Sequence, residues 1–221
     1  KILNLEGLGH IRSVTGGVNI TENASLFSLS GLDSLSRIGQ YFDLGNNSLL
    51  SDLYAMSQLK SIGSYLSIYG NNSLDYLDGF DALSEIGENL NIFFNPALQD
   101  LAGLISLKEI RGGISISSNG NLISLVGLDS VNMENVQSLE IFLNKNLSVC
   151  NIDNVCEYLA SCKPASVFRN DGACEYLEDV QEACNLQVTA SSVQSIGCDS
   201  FIYNGITYFE SGYYTQILPA Q

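Results

Sequence analysis

Apolar residues recur along the first two thirds of the chain at a fixed spacing of 24. One column runs Ile2, Leu26, Leu50, Leu74, Leu98, Leu122, and a second Leu5, Leu29, Leu53, Leu77, Leu101, Leu125. A third runs Leu8, Leu32, Met56, Phe80, Leu104, Leu128, and a fourth Ile11, Leu35, Leu59, Leu83, Leu107, Val131. Val14, Ile38, Ile62, Ile86 and Ile110 follow in the same step. A unit with one apolar face buries it only by stacking on its neighbours, so the pattern predicts a β-solenoid with one coil per repeat. The segment Leu90-Asn91-Ile92 alternates apolar and polar, which is the period of a strand. The pairs Val18/Ile20, Phe42/Leu44, Leu66/Ile68, Ile114/Ile116 and, after one inserted residue, Leu139/Ile141 repeat it. Six such strands in register make one parallel sheet, and the Leu-rich remainder supplies the crossover that parallel strands require. Apolar positions every third residue suit irregular or 3₁₀ turns there better than a long helix. Gly7, Gly31, Gly79, Gly103 and Gly127 mark a corner of that crossover, with Ala55 the one substitute.

Polar positions follow the same period. Asn23, Asn47, Asn71, Asn95, Asn119 and Asn144 stand just after each strand. A buried Asn there can satisfy backbone groups left unpaired at the turn, so the column predicts an amide ladder rather than a binding stripe. Five Asn-x-Ser/Thr triplets, at Asn19, Asn23, Asn46, Asn71 and Asn146, are formal glycosylation acceptors, most of which the repeat itself generates.

The chain is acidic, with 9 Lys+Arg against 24 Asp+Glu and a net charge of −15. A surface without basic patches argues against nucleic acid and anionic membranes as partners. No apolar run approaches the ~20 residues needed to span a bilayer, so membrane insertion is not expected. The sequence starts at Lys1 inside the repeat, which leads us to expect a signal peptide and an N-terminal cap outside it, in a longer polypeptide.

All six cysteines, Cys150, Cys156, Cys162, Cys174, Cys184 and Cys198, follow the repeats. A solenoid needs its last apolar coil covered, and disulfides commonly hold a small cap together in an oxidising compartment. Six cysteines allow about 15 pairings, which spacing alone leaves open. Zinc is disfavoured because no Cys-x-x-Cys occurs and the single histidine, His10, lies far away. Asp153 to Ser161 reads as a short helix with Asp153 as N-cap and Val155, Cys156 and Leu159 inward. Residues 165–170 read as a last strand closing the sheet, and 177–184 as a second helix. The expected division is a six-coil solenoid over 1–149, a Cys-rich cap over 150–187 and part of a β-rich module over 188–221.

These repeats resemble the leucine-rich-repeat superfamily, and more closely its receptor L-domain variety, through the L-x-I/L-x-x-N ending of every coil. They differ from the common form by one extra residue between the Ile38-type position and the strand. The stretch from Asn146 to Cys150, with Cys156-Glu157-Tyr158-Leu159, Gly172-Ala173-Cys174 and Ala183-Cys184, is similar to the cap of secreted repeat proteins of Bacteroidetes-type bacteria. Gly197 to Ser200, Asn204 to Tyr208 and Ser211 to Tyr214 resemble a β-rich module found in tandem in large bacterial surface proteins. The resemblance implies a right-handed solenoid, secretion or display on a bacterial surface, and a tail in which Cys198 lacks its usual partner.

Candidate chemistry is sparse. One histidine, no Trp and no nucleophile or phosphate-loop motif leave little for catalysis. A carbohydrate-active β-helix enzyme would need paired acids on one strand face. The outward column Asn19, Asp43, Ser67, Asn91, Ser115, Glu140 separates its two carboxylates by four coils, about 19 Å at ~4.8 Å per strand. The second outward column is Thr21, Gly45, Tyr69, Phe93, Ser117, Phe142. Thr21 alone among these positions rules out the regular Thr ladder of an ice-binding face. Tyr69 and Phe93 are neighbours with Phe94 beside them, Tyr41 and Tyr65 pair just ahead of the strands, and Phe142 lies further along. Exposed aromatics of this kind mark a surface for an extracellular protein or glycan, or else simply cover the sheet. Asp75, Asp78 and Asp81, near Asp52 and Asp100, are oxygen donors that could hold surface Ca²⁺, or a solvated acidic face. The function expected is non-enzymatic recognition or adhesion, with a structural spacer as the rival reading.

Overall fold

The computed structural model describes residues 1–161, 163–185, 201–203 and 206–208. In chain order its strands are β1 (Ser13–Val14), β2 (Val18–Thr21), β3 (Arg37–Ile38), β4 (Phe42–Gly45), β5 (Ser61–Ile62), β6 (Leu66–Tyr69) and β7 (Glu85–Ile86). They continue as β8 (Leu90–Phe93), β9 (Glu109–Ile110), β10 (Gly113–Ser117), β11 (Ser138–Phe142) and β12 (Ala165–Phe168). The longer strands form one all-parallel sheet of seven, ordered β2-β4-β6-β8-β10-β11-β12. The two-residue strands form a second all-parallel sheet of five, ordered β1-β3-β5-β7-β9. Both sheets grow by one strand per repeat, in steps of 24 residues except for 25 into β11 and 26 into β12, which is a solenoid-like arrangement.

The second sheet sits on the Val14/Ile38/Ile62/Ile86/Ile110 column, a stretch the sequence pattern assigns to an irregular crossover. Two residues are too short to show alternation. Stacking alone supplies their partners: Gly39, Gly63 and Gly87 donate their N–H to the carbonyls of Val14, Ile38 and Ile62 in the repeat before. The apolar columns fill the space between the two sheets. Leu74, Leu77, Phe80, Leu83, Ile86, Leu90 and Ile92 of one interior repeat are all fully buried. Each such side chain contributes about 1.5–3 kcal/mol on leaving water. The first repeat has a neighbour on one side only, and Ile2 and Leu8 are exposed there.

The corner glycines are of two kinds. Gly31, Gly79 and Gly127 have φ of 110°, 116° and 113°, and each donates its N–H to an Asp two residues on, Asp33, Asp81 and Asp129. In the intervening repeats the corner is a short 3₁₀ turn, Tyr54–Met56 or Ala102–Leu104, opened by the carboxylate of Asp52 or Asp100. Ala55 therefore sits where no positive φ is required, and the corner alternates over two repeats, a 48-residue period the glycine column conceals.

The C-terminal end is closed by β12, α1 (Asp153–Ala160) and α2 (Leu177–Asn185). The N-cap of α1 is Ile152, with no side-chain cap, and Asp153 is its first helical residue. The helix turns Val155, Tyr158 and Leu159 inward, while Cys156 is only half-buried. Tyr158 takes the inner place because its hydroxyl donates to the Pro164 carbonyl at 2.8 Å, which satisfies its polar end. Burial pushes that hydroxyl's pKa above its usual value. Disulfides join Cys150 to Cys174 and Cys156 to Cys184. Cys162 and Cys198 lie outside the described residues, as does most of 188–221. Within that stretch Phe201–Tyr203 and Ile206–Tyr208 pair antiparallel.

Candidate functional site on the outer face of the long sheet

Parallel pairing in register aligns the outward columns, at a step of 24 residues as far as β10 and of 25 and 26 into β11 and β12. Asn19, Asp43, Ser67, Asn91, Ser115, Glu140 and Ser166 are successive partners, and so are Thr21, Gly45, Tyr69, Phe93, Ser117, Phe142 and Phe168. Strand spacing is close to the thickness at which rings stack, so aromatics on adjacent strands pair. Tyr69 and Phe93 lie 5.0 Å apart between ring centroids with planes 2° from parallel. Tyr41 and Tyr65 stack at 5.3 Å and 11°. A third pair, Phe142 and Phe168, stacks at 5.0 Å and 4°. Parallel planes at these centroid distances are offset stacks, so each ring leaves part of its face uncovered.

Tyr69 and Tyr41 lean toward the preceding repeat. A methyl group at Gly45 would overlap the Tyr69 ring, and one at Gly17 would overlap the Tyr41 ring. The Tyr69–Phe93 and Tyr41–Tyr65 stacks thus each begin over a glycine that leaves room for them. Tyr65 donates its hydroxyl to the Asp43 carboxylate at 3.1 Å. Burial first, and the Asp43 hydrogen bond and negative charge after it, push that hydroxyl's pKa above its ordinary value. Tyr41, Tyr65, Tyr69, Phe93 and Phe142 are half-buried, whereas Phe94 is 62% exposed and meets Phe93 edge-on at 5.9 Å. Six residues of the expected patch therefore share the outer face as two neighbouring stacks and one further along. Phe168 completes the last of these. Phe168 stands 26 residues after Phe142, on the closing strand β12, so the 24-residue step does not point to it.

Phe94 belongs to another column that the apolar pattern does not show. Glu22, Asn46, Gly70, Phe94, Ser118, Leu143 and Arg169, each the first residue after its strand, all have φ between 55° and 64°. Left-handed backbone costs a residue with a side chain about 1–2 kcal/mol, and Phe and Leu are unusual occupants. The amide ladder beneath holds this turn. The Oδ1 of Asn47, Asn71, Asn95, Asn119 and Asn144 each accepts the backbone N–H of the preceding Asn, at 3.0–3.1 Å. Their Nδ2 groups donate to strand carbonyls such as Ile68. Asn23 starts the series and Asn170 adds a further member by accepting from Asn144.

The remaining candidates are dispersed. Asp43 and Glu140 stand four strands apart in one column, and Glu140 accepts a hydrogen bond from Ser115. His10 is exposed in the first repeat. Asp75, Asp78 and Asp81 do not converge: among the described residues no three His, Cys, Asp or Glu side chains form a metal-binding group. Asp81, Asp52 and Asp100 are instead engaged by backbone N–H groups at the corners. Of the glycosylation triplets, Asn71 is fully buried in the ladder, while Asn19, Asn46 and Asn146 are exposed. Among the described residues no helix is long and apolar enough to cross a membrane. No protein-family model, curated protein or solved structure matches this chain.

Proposed function

We propose that this protein is a non-enzymatic recognition or adhesion module, secreted or displayed on a bacterial surface, that captures its partner on the outer face of the long sheet. The reading of the repeats as a right-handed solenoid of the leucine-rich-repeat and receptor L-domain type belongs to the same proposal. The observation that carries it is the set of three offset aromatic stacks on that face, with Phe94 raised beside them. Rings that only covered the sheet would gain by lying flat under polar neighbours; these keep part of their faces toward solvent. The two disulfides fit an oxidising, extracellular setting.

A screen of the protein against glycans and extracellular proteins, run beside the Tyr69→Ala/Phe93→Ala variant, tests the proposal. Selective binding lost in a variant that keeps its melting temperature to within a few degrees is expected. Binding that survives in the variant would remove this face from consideration. A folded protein that captures nothing would favour the spacer.

A further inference from the structure

The outer column Tyr69, Phe93, Ser117, Phe142, Phe168 carries an aromatic ring at four of five successive strands. The turn column beside it repeats the interruption: Phe94, Ser118, Leu143. Two columns thus drop to serine in the same repeat, with large apolar residues on both sides. Ser117 is only 8% exposed although it lies on the outer face. Phe142, the register partner of Ser117 on the next strand, is the large neighbour that can cover it. The rings then stand in steps of about 4.8 Å, with one step empty between Phe93 and Phe142. A flat ring placed there would lie about 5 Å from each neighbour, the centroid distance found within the stacks themselves.

Resting on the sheet face as the binding surface, we infer that this empty step accepts one sugar ring of a neutral oligosaccharide, completing the stack. The surroundings select that chemistry. A pyranose has apolar C–H faces for Phe93 and Phe142 and hydroxyls around its edge. Asn91, Ser115 and Glu140 flank the step on one side and Ser118 on the other, offering amide, hydroxyl and carboxylate partners to such an edge. Neither outward column of the seven strands contains Lys or Arg, and Glu140 stands beside the step, so an anionic sugar is repelled. A protein's aromatic side chain would fit between the rings but would leave the polar rim largely unused. Phe94, exposed in a backbone conformation that Phe rarely adopts, stands edge-on to Phe93 at 5.9 Å, next to the step.

The test is titration of the protein with cellohexaose, xylohexaose and mannohexaose, and with hexagalacturonate as the anionic counterpart, followed by calorimetry. Wild type, Ser117→Phe and Phe93→Ala are compared after checking their melting curves. Ser117→Phe fills the empty step, while Phe93→Ala removes one wall without adding bulk, so the second variant remains informative if the first misfolds. A neutral hexasaccharide that binds wild type and loses about tenfold or more in affinity in Phe93→Ala, and in folded Ser117→Phe, supports the inference. Hexagalacturonate binding more tightly than the neutral chains, or neutral binding unchanged in Phe93→Ala, overturns it. Capture of proteins alone, abolished by Tyr69→Ala/Phe93→Ala, also overturns it while leaving the sheet face as the recognition surface. Absence of binding in both screens overturns the inference together with the recognition reading.

Discussion

At the residue scale, two columns with opposite logic meet just after each long strand. The Asn column holds the turn through buried hydrogen bonds, and each member serves the repeat before it. Removing the Asn95 side chain leaves the Asn71 N–H without its 3.1 Å acceptor and the Ile68 carbonyl without its 3.0 Å donor. Each orphaned buried group costs about 1–3 kcal/mol, so Asn95→Ala is expected to lose about 2–5 kcal/mol in urea unfolding. A loss under 1 kcal/mol would mean that water replaces the ladder. The neighbouring left-handed column carries strain instead, and Phe94 is its aromatic occupant. Phe94→Asn relieves about 1 kcal/mol of backbone strain while giving up only an edge contact with Phe93. Thermal melting should show an unchanged or more stable protein; a clear drop would show that the ring is structural.

Among elements, the cap is where covalent chemistry does what stacking does elsewhere. The α2 helix buries Val180 as its one fully inward apolar residue, with Leu177 and Cys184 half-buried. That small apolar face would hold nine residues weakly by itself. The Cys156–Cys184 bond closes a separation of 28 residues and ties α2 to α1. A link of that length is worth about 3–4 kcal/mol through the unfolded chain. In a Cys156→Ala/Cys184→Ala variant, backbone amides of 177–185 should exchange with solvent well before those of β8 or β10. Equal protection in both would mean that packing of α2, not the bond, secures the cap.

For the whole molecule, burial dominates and charge opposes. Interior repeats seal seven large apolar side chains each, whereas among the described residues the one ion pair, Arg111 with Glu85, joins exposed groups. An exposed pair is worth about 0–1 kcal/mol, too little to offset the self-repulsion of a chain of net charge −15. Stability should therefore rise as salt screens that repulsion, with a higher melting temperature in about 0.5 M than in about 0.01 M sodium chloride. A melting temperature that falls with added salt would show that attractive charge pairs outweigh repulsion.

The 24-residue step alone determined the long parallel sheet, its register, the amide ladder and the identity of most of the aromatic neighbours. A strictly periodic chain leaves one way to bury its apolar face, and partners in adjacent repeats then share a column number. Helices α1 and α2 and strand β12 were also legible, since apolar spacing and turn residues bound them. What the tertiary structure decided rests on contacts between repeats that no single repeat encodes. The second sheet exists because stacking brings two-residue segments such as Arg37–Ile38 and Ser61–Ile62 side by side. The alternation of glycine corners with 3₁₀ turns follows from backbone dihedrals that a Gly or Ala letter does not reveal. The lean of Tyr69 over Gly45, which turns a column of letters into offset rings with an empty step at Ser117, depends on side-chain direction across strands. That direction is set only when each ring finds its neighbour in the next repeat.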